Sequence, residues 1–317
     1  MSLFMLADFN LNEIFRQLPD LDVLSKSDPF CVVYTQPAGQ QTWKEYGRTE
    51  IIWNTLNPDF ATKFIMSYHF EEQQKLRFEL YDADSNSQDL KEHDFIGWVD
   101  VTLGNLVSQC VIKNKIQFHN PYLDRGMLIL MAEELVSNKD ELQLQLIGHK
   151  LDKKNSWFGQ SNPFIVISKA TEATLANYVV VHKTEVVKRS VNPVWKAFSI
   201  PVRNLCNGDY DRTLKLECYS WKSNGSHTII GESFTSLQKL LAQAEGGTFS
   251  IPLNNQKKAR KKSDYIDSGK LEIVICKLGK VYSFLDFIQG GTEILCTIAI
   301  DFTGEFYFVI FDVRNIL

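Results

Sequence analysis

Short stretches in which apolar and polar residues alternate, or in which apolar residues follow one another, recur along the chain: FCVVYT (30–35), KLRFELY (75–81), LQLQLIG (142–148), PFIVIS (163–168) and TLKLECY (213–219). Period-two or continuous apolar runs of this length predict strands buried on one or both faces. The Asn, Asp, Gly, Pro and Ser clusters between them predict turns. The expected class is therefore all-β and antiparallel. A helical period surfaces only briefly, in FTSLQKLLAQAE (234–245), which reads as a short helix between strands.

The pattern repeats. SKSDPFCVV, GRTEIIWNTLNPDF, LRFELYDAD and HDFIGWVDVTLGNLV return in the same order as GQSNPFIVI, HKTEVVKRSVNPVW, LKLECYSWK and HTIIGESFTSLQKLL. Pro29 and Pro163 stand 134 residues apart, as do Gly97 and Gly231, and Pro58 and Pro193 stand 135 apart. A period of that length exceeds a solenoid unit and suits a whole domain, so two copies of one β-sandwich are implied. The expected division is a first copy over 1–136, a second over 137–279 and a remainder over 280–317, shorter than a stable domain usually is.

Composition narrows the function classes. With 34 Lys+Arg against 38 Asp+Glu the 317-residue chain carries a formal charge of −4, so no global basic field exists to hold nucleic acid, and none is expected as a partner. Attraction to an anionic surface must be local or ion-induced. The six cysteines lie far apart without a CxxC pair, mostly among strand-like residues, and read as buried reduced thiols of an intracellular protein. MSLFMLADFN has no basic leader segment and no Gly at position 2, so neither secretion nor myristoylation is expected. The longest apolar tract, ILCTIAIDFTGEFYFVIF (294–311), is broken by Asp301 and Glu305, which argues against a span and leaves peripheral contact as the membrane mode.

Two acidic loops flank apolar strands of the first copy. DLDVLSKSD supplies Asp22 and Asp28, and YDADSNSQDLKEHD supplies Asp82, Asp84 and Asp94. Carboxylates this dense repel one another unless a cation joins them. Calcium accepts six to eight oxygens in irregular geometry, so loops at one end of a sandwich can cage Ca2+, whereas magnesium fits less well. The competing reading is that these are ordinary turn aspartates, and Asp20 and Asp89 are read that way. His93, alone beside hard oxygen ligands, is expected to be solvated or to stand behind the ligands. Dispersed histidines and the lack of a GxSxG elbow, a glycine-rich phosphate loop or a His-Glu-x-x-His motif leave an enzyme without support.

SDPFCVV, NTLNPDF, YDAD and HDFIG resemble the calcium-binding signature of C2 domains. The tandem pair, with HKTEVVK, NPVW, LCNGDYDRT, GSHTIIGE, FLDFIQGGTEI and AIDFTG, resembles copines in particular, over essentially the whole chain. The resemblance implies two tandem eight-stranded antiparallel C2 β-sandwiches with a short C-terminal α/β remnant. The placement of FNLNEIF before the first acidic loop and of GMLILMAEE at the end of the copy resembles the type II strand order. It also implies calcium-driven recruitment to phospholipid.

In the second copy, Asn155, Asn162, Ser220, Lys222 and Thr228 fall where the family's ligand aspartates are expected. No carboxylate remains there, and Lys222 adds a positive charge, so this copy is expected to bind no calcium through its cup. His182, Lys183, Lys188 and Arg189 are placed on HKTEVVKR, read as one strand. Lys183, Lys188 and Arg189 are its candidates for anionic lipid, at about 1 kcal/mol per charge near such a leaflet, against the plain reading of a solvated strand face. KKARKK (257–262) reads first as a soluble loop, with lipid binding or nuclear import as alternatives.

Residues 281–317 resemble the opening of a von Willebrand A domain, with Asp301 and Thr303 matching its metal motif and Glu305 replacing the final hydroxyl. A doubly wound sheet needs several more elements, so no adhesion site is expected, and the apolar tail is expected to dock on a sandwich.

The function expected from these readings is a calcium-dependent phospholipid-binding adaptor. Its first copy bridges Ca2+ to phosphatidylserine-like lipid, Val23 and Leu24 enter the headgroup layer and Lys26 meets phosphate. The expected location is the cytoplasm, with movement to the plasma membrane when calcium rises and the nucleus as an alternative site. The alternative function is a protein-interaction scaffold acting through the second copy and the tail.

Overall fold

The computed structural model describes residues 6–22, 25–36, 40–85, 87–120, 122–136, 138–153, 161–171, 178–261, 263–282, 295–301 and 306–312, with Leu6 and the residues beyond Tyr282 described by backbone alone. The first sandwich is built from β1 (Leu6–Arg16), β2 (Pro29–Gln36), β3 (Lys44–Arg48), β4 (Phe64–His69), β5 (Lys75–Asp82), β6 (Asp94–Thr102), helix α1 (Leu103–Gln109), β7 (Val111–Lys115) and β8 (Met127–Glu134). Two four-stranded antiparallel sheets result, in the orders β4-β1-β8-β7 and β3-β2-β5-β6.

The second sandwich repeats this plan. It comprises β9 (Asp140–His149), β10 (Pro163–Ala170), β11 (Tyr178–Lys183), β12 (Phe198–Pro201), α2 (Val202–Leu205), β13 (Leu214–Ser220), β14 (Thr228–Thr235), α3 (Leu237–Ala244), β15 (Phe249–Pro252), α4 (Gln256–Ala259) and β16 (Lys270–Lys280). Its sheets run β12-β9-β16-β15 and β11-β10-β13-β14.

Alternation decides the cores. In β5 Leu76, Phe78 and Leu80 point inward, and in β13 Leu214, Leu216 and Cys218 do, each packing against the opposite sheet. The NPDF and NPVW turns each drop one aromatic ring into the core. Phe60 meets Phe15 edge-on at 5.9 Å, and Trp195, fully buried, donates its indole N–H to Pro163 O. Rings of this size supply a large share of a sandwich's burial energy. Gly97 lies opposite an irregularity between Leu80 and Tyr81; a Cβ there would sit 2.3 Å from Gln117 O, so only glycine lets that carbonyl receive the Trp98 N–H at 3.0 Å.

Several expectations need correction. HKTEVVKR is not one strand, because β11 ends at Lys183. Thr184 then turns back, its hydroxyl accepting the Ile165 N–H, and Lys188 and Arg189 form a turn with Arg189 at φ 53°. The start of KKARKK is not loop but the single helical turn α4, capped by the Asn255 side chain. Cys31, Cys206 and Cys218 are buried, yet Cys110 is exposed, because it closes α1 at φ 60° rather than lying in a strand. Helix α3 forms within the expected stretch, with Ser236 Oγ accepting the Lys239 N–H.

The C-terminal unit, from Gly279, is described by itself. Its described part is a hairpin of β17 (Leu295–Asp301) and β18 (Phe306–Asp312), with Asp301 opposite Phe306. A four-residue link cannot make the crossover a parallel pair requires, so the strands pair antiparallel. Thr303 and Glu305 lie outside the described residues. Among the described residues no helix is long and apolar enough to cross a membrane.

Candidate functional site

The sheet register gathers the acidic loops at one end of the first sandwich. Pro29 faces Asp82 across β2 and β5, and Asp82 faces Asp94 across β5 and β6. Asp28, directly before β2, donates its N–H to Asp82 Oδ1 at 2.5 Å. Its own Oδ1 accepts the Asn54 N–H at 2.6 Å. Asp84 Oδ2 accepts the Asp94 N–H at 3.0 Å, and Asp22 Oδ2 accepts the Ser25 hydroxyl at 2.8 Å. Asp94 itself is exposed and joins the group through its backbone.

Electrostatically the cup is strained without an ion. Burial, then the charges of Asp82, Asp22 and Asp84, push the Asp28 carboxyl above its usual range against the opposing Asn54 bond. Burial likewise raises Asp82, with Asp22 and Asp84 adding to it and the neighbouring Ser27 hydroxyl and the Asp28 N–H opposing. Asp82 is 2% exposed, and its Oδ2 is buried without any hydrogen-bond partner. An oxygen-only donor set with one orphaned buried carboxylate atom suits a hard cation such as calcium. Among the described residues, however, no three His, Cys, Asp or Glu side chains are already arranged to hold a metal. Asp22, Asp28, Asp82 and Asp84 are each drawn toward a backbone or hydroxyl donor instead.

Behind the aspartates stands a frame, and His93 takes the second of the two places expected for it. His93 is buried rather than solvated: its Nδ1 accepts the Asp84 N–H at 3.3 Å, so its proton lies on Nε2, which faces Ser87 O at 3.1 Å, and its ring meets Phe30 edge-on at 5.2 Å. Ser27, fully buried, accepts the Leu21 N–H and donates to Pro19 O. Asp89 caps the short turn at Leu90–Glu92 by accepting the Lys91 N–H.

The second sandwich keeps the frame and drops the charge. His227 Nδ1 accepts the Lys222 N–H at 3.2 Å and its ring meets Phe164 at 5.2 Å. Asn162 Oδ1 accepts the Arg189 N–H, as Asp28 accepts that of Asn54. Ser220 Oγ accepts the Asn162 N–H, as Asp82 accepts that of Asp28. Thr228 opens β14 as Asp94 opens β6. Each of the four described replacements, Asn162, Ser220, Lys222 and Thr228, preserves a bond or a place while removing an anion. Ser27 with Ser161, and His93 with His227, recur at the spacing of the repeat, the signal that could have revealed the frame.

The remaining candidates are separated by their surroundings. Lys26 is exposed beside the cup; Val23, Leu24 and Asn155 lie outside the described residues. Lys188 and Arg189 are exposed. Lys183 is not available to lipid: its Nζ donates to Asp59 O at 2.5 Å and lies 4.0 Å from Glu50, and burial lowers its pKa.

Two sandwiches of this topology, one with a charged and one with a neutral cup, define a tandem pair of C2 domains. The C2 domain family matches residues 15–118 and 141–261, and the chain belongs to that family. The copine resemblance holds: Nicotinic receptor-associated protein 1 of Caenorhabditis briggsae, a copine-family protein, is 36% identical over 92% of this chain. The chain spans about half, 52%, of that curated relative. Among solved structures, BON1-C2B is 26% identical, covering 46% of this chain and 94% of its own at a TM-score of 0.37. The calcium-bound tandem C2 domains of Extended-Synaptotagmin 2 are 16% identical, covering 87% of this chain and 98% of their own at a TM-score of 0.31.

Proposed function

We propose that this chain is a peripheral adaptor whose first C2 domain, within residues 1–136, binds calcium through Asp22, Asp28, Asp82, Asp84 and Asp94 and thereby attaches to anionic phospholipid. The observation that carries this reading is the buried, unpartnered Asp82 Oδ2, on a carboxyl whose pKa is raised by burial and by the neighbouring Asp22 and Asp84. When bound, calcium neutralises the cup and offers open coordination positions to lipid phosphate or carboxylate oxygens. Asp82 supplies the buried oxygen and Asp28 half-buried ones, the Asn54 N–H holds Asp28 in place, and the His93 frame fixes the second loop. Lys26, with Val23 and Leu24, meets the headgroup layer. The chain is an adaptor rather than an enzyme and moves from cytoplasm to plasma membrane when calcium rises.

Sedimentation with phosphatidylserine vesicles tests this. Binding is expected with calcium, lost with chelator and lost in Asp82→Asn; binding indifferent to chelator sinks the reading.

A second reading has its own support. The curated relative is named for association with a receptor, which favours a scaffold in which the second C2 domain, 137–279, and the segment 280–317 hold a protein partner. A pulldown that survives Asp28→Asn with Asp82→Asn but not removal of residues 138–317 supports it.

A further inference from the structure

The carboxylate-free loop of the second sandwich reaches the acidic cup of the first. Between β13 and β14, Ser223 O accepts the Asn54 Nδ2–H at 2.8 Å. Asn54 is the residue whose backbone N–H is bound to Asp28 Oδ1. Gly225, two residues beyond Ser223, lies so close to Asn54 that a Cβ there would stand 2.0 Å from the Asn54 carbonyl oxygen, and its φ of +67° favours glycine. A few residues along the same turn of the first sandwich, Lys183 grips Asp59 O and faces Glu50. Glu50 in turn anchors that turn by accepting from the N–H groups of Ala61 and Thr62.

Charge explains why this loop fits here. Lys183 meets Asp59 and Glu50 and, with Lys222, adds to the burial that lowers the pKa of His227, so this end of the second sandwich is basic where it meets Glu50 and Asp59. Carboxylates at Ser220 and Lys222, matching Asp82 and Asp84, would instead bring a second anionic cup against the first.

We infer that the β13–β14 loop is an intramolecular dock: it seats on the Asn54 turn of the first sandwich and holds the backbone donor that positions Asp28. The docking stands on the contacts alone; its effect on Asp28 rests on the reading of the cup as a cation site. By linkage, a dock that positions a ligand raises cation affinity, and the cation tightens the dock by the same factor.

Hydrogen exchange on the full chain tests the dock. Gly225→Val, which leaves no room for the Asn54 carbonyl, is expected to speed exchange across 51–57 about tenfold or more while β2 and β5 stay protected. Asn54→Gly keeps the positive φ, removes the Nδ2 donor and acts from the first sandwich, so it decides the matter if Gly225→Val disturbs its own sandwich; it is expected to widen the distance distribution between spin labels on the two sandwiches. Unchanged exchange in the first and an unchanged distribution in the second overturn the dock. Calorimetry with calcium then reads the coupling, with Gly225→Val expected to weaken binding several-fold. An unchanged affinity overturns the positioning of Asp28, and a wild-type chain that takes up no calcium overturns the cup reading itself, while exchange still judges the dock.

Discussion

Glu13 stands in the core of the first sandwich at the place Leu146 fills in the second. The equivalence follows from the end of each strand: Gln17 and Lys150 both adopt positive φ and donate their N–H groups to Asn57 and Asn192, the turn asparagines of NPDF and NPVW. Four residues earlier, Glu13 is 1% exposed and Leu146 fully buried. Both Glu13 carboxylate oxygens lack a hydrogen-bond partner, and burial pushes its pKa up to about 8, opposed by the nearby Lys63 ammonium.

This placement sets a pH dependence. The folded chain holds the Glu13 proton up to about pH 8, whereas the unfolded chain releases it near the ordinary value of 4.5. Stability from this group is therefore complete below about pH 4.5 and is lost as pH rises through about 8. Glu13→Gln is expected to be more stable than the wild type by about 1–3 kcal/mol at alkaline pH and to differ little in acid. Urea titrations of both chains across that range measure the difference.

Asp82→Asn is expected to act in opposite directions on the empty and the loaded chain. Its Oδ1 still accepts the Asp28 N–H, while the buried charge and its repulsion of Asp28 disappear, so in chelator the variant melts higher. The wild type gains stability with calcium by mass action, and the variant gains little. Because Asp28 and Asp82 are both raised, the ion-free wild type keeps their contribution below the ordinary carboxylate range and loses it as pH climbs through the raised values. Thermal melts with calcium and with chelator check both signs.

The second cup is expected to stay silent. A full chain carrying Asp28→Asn and Asp82→Asn should show no calcium heat, since Asn162, Ser220 and Lys222 retain the frame without anions. Residual saturable binding in calorimetry would place a further site in the second sandwich.

Exposed and engaged cations should part company at an anionic vesicle. Lys188→Glu with Arg189→Glu is expected to weaken binding by about 1 kcal/mol per altered charge. Lys183→Gln, whose amine is occupied by Asp59 and Glu50, should loosen the contact between sandwiches and, once calcium is saturating, leave lipid affinity unchanged. Vesicle sedimentation at several salt concentrations separates the two.

Much of this is legible in the chain. Strand alternation around Phe78 and Leu216 and the paired turns at Pro58 and Pro193 suffice for two matching sandwiches, because period two and a repeated landmark are local signals. The acidic loops are visible for the same reason. What escapes are properties made by neighbours distant in sequence. Lys183 reads as an exposed basic residue until Asp59 is seen beside it, His93 reads equally as solvated or as standing behind the ligands until its ring is found against Phe30, and Glu13 gives no sign that its strand face is the interior one. Lys188 and Arg189 read as strand residues because β-prone EVVK continues the strand pattern past Thr184, where the backbone turns.

The bracing of His93 also bears on speed. Its two ring nitrogens engage the backbone of the loop that follows β5, so that loop is already built before any ion arrives. Under the calcium reading proposed above, capture then asks for side-chain rotations of the aspartates and no refolding step. A signal lasting milliseconds would be followed at the pace of diffusion, and release would return the same loop, unspent, for the next pulse.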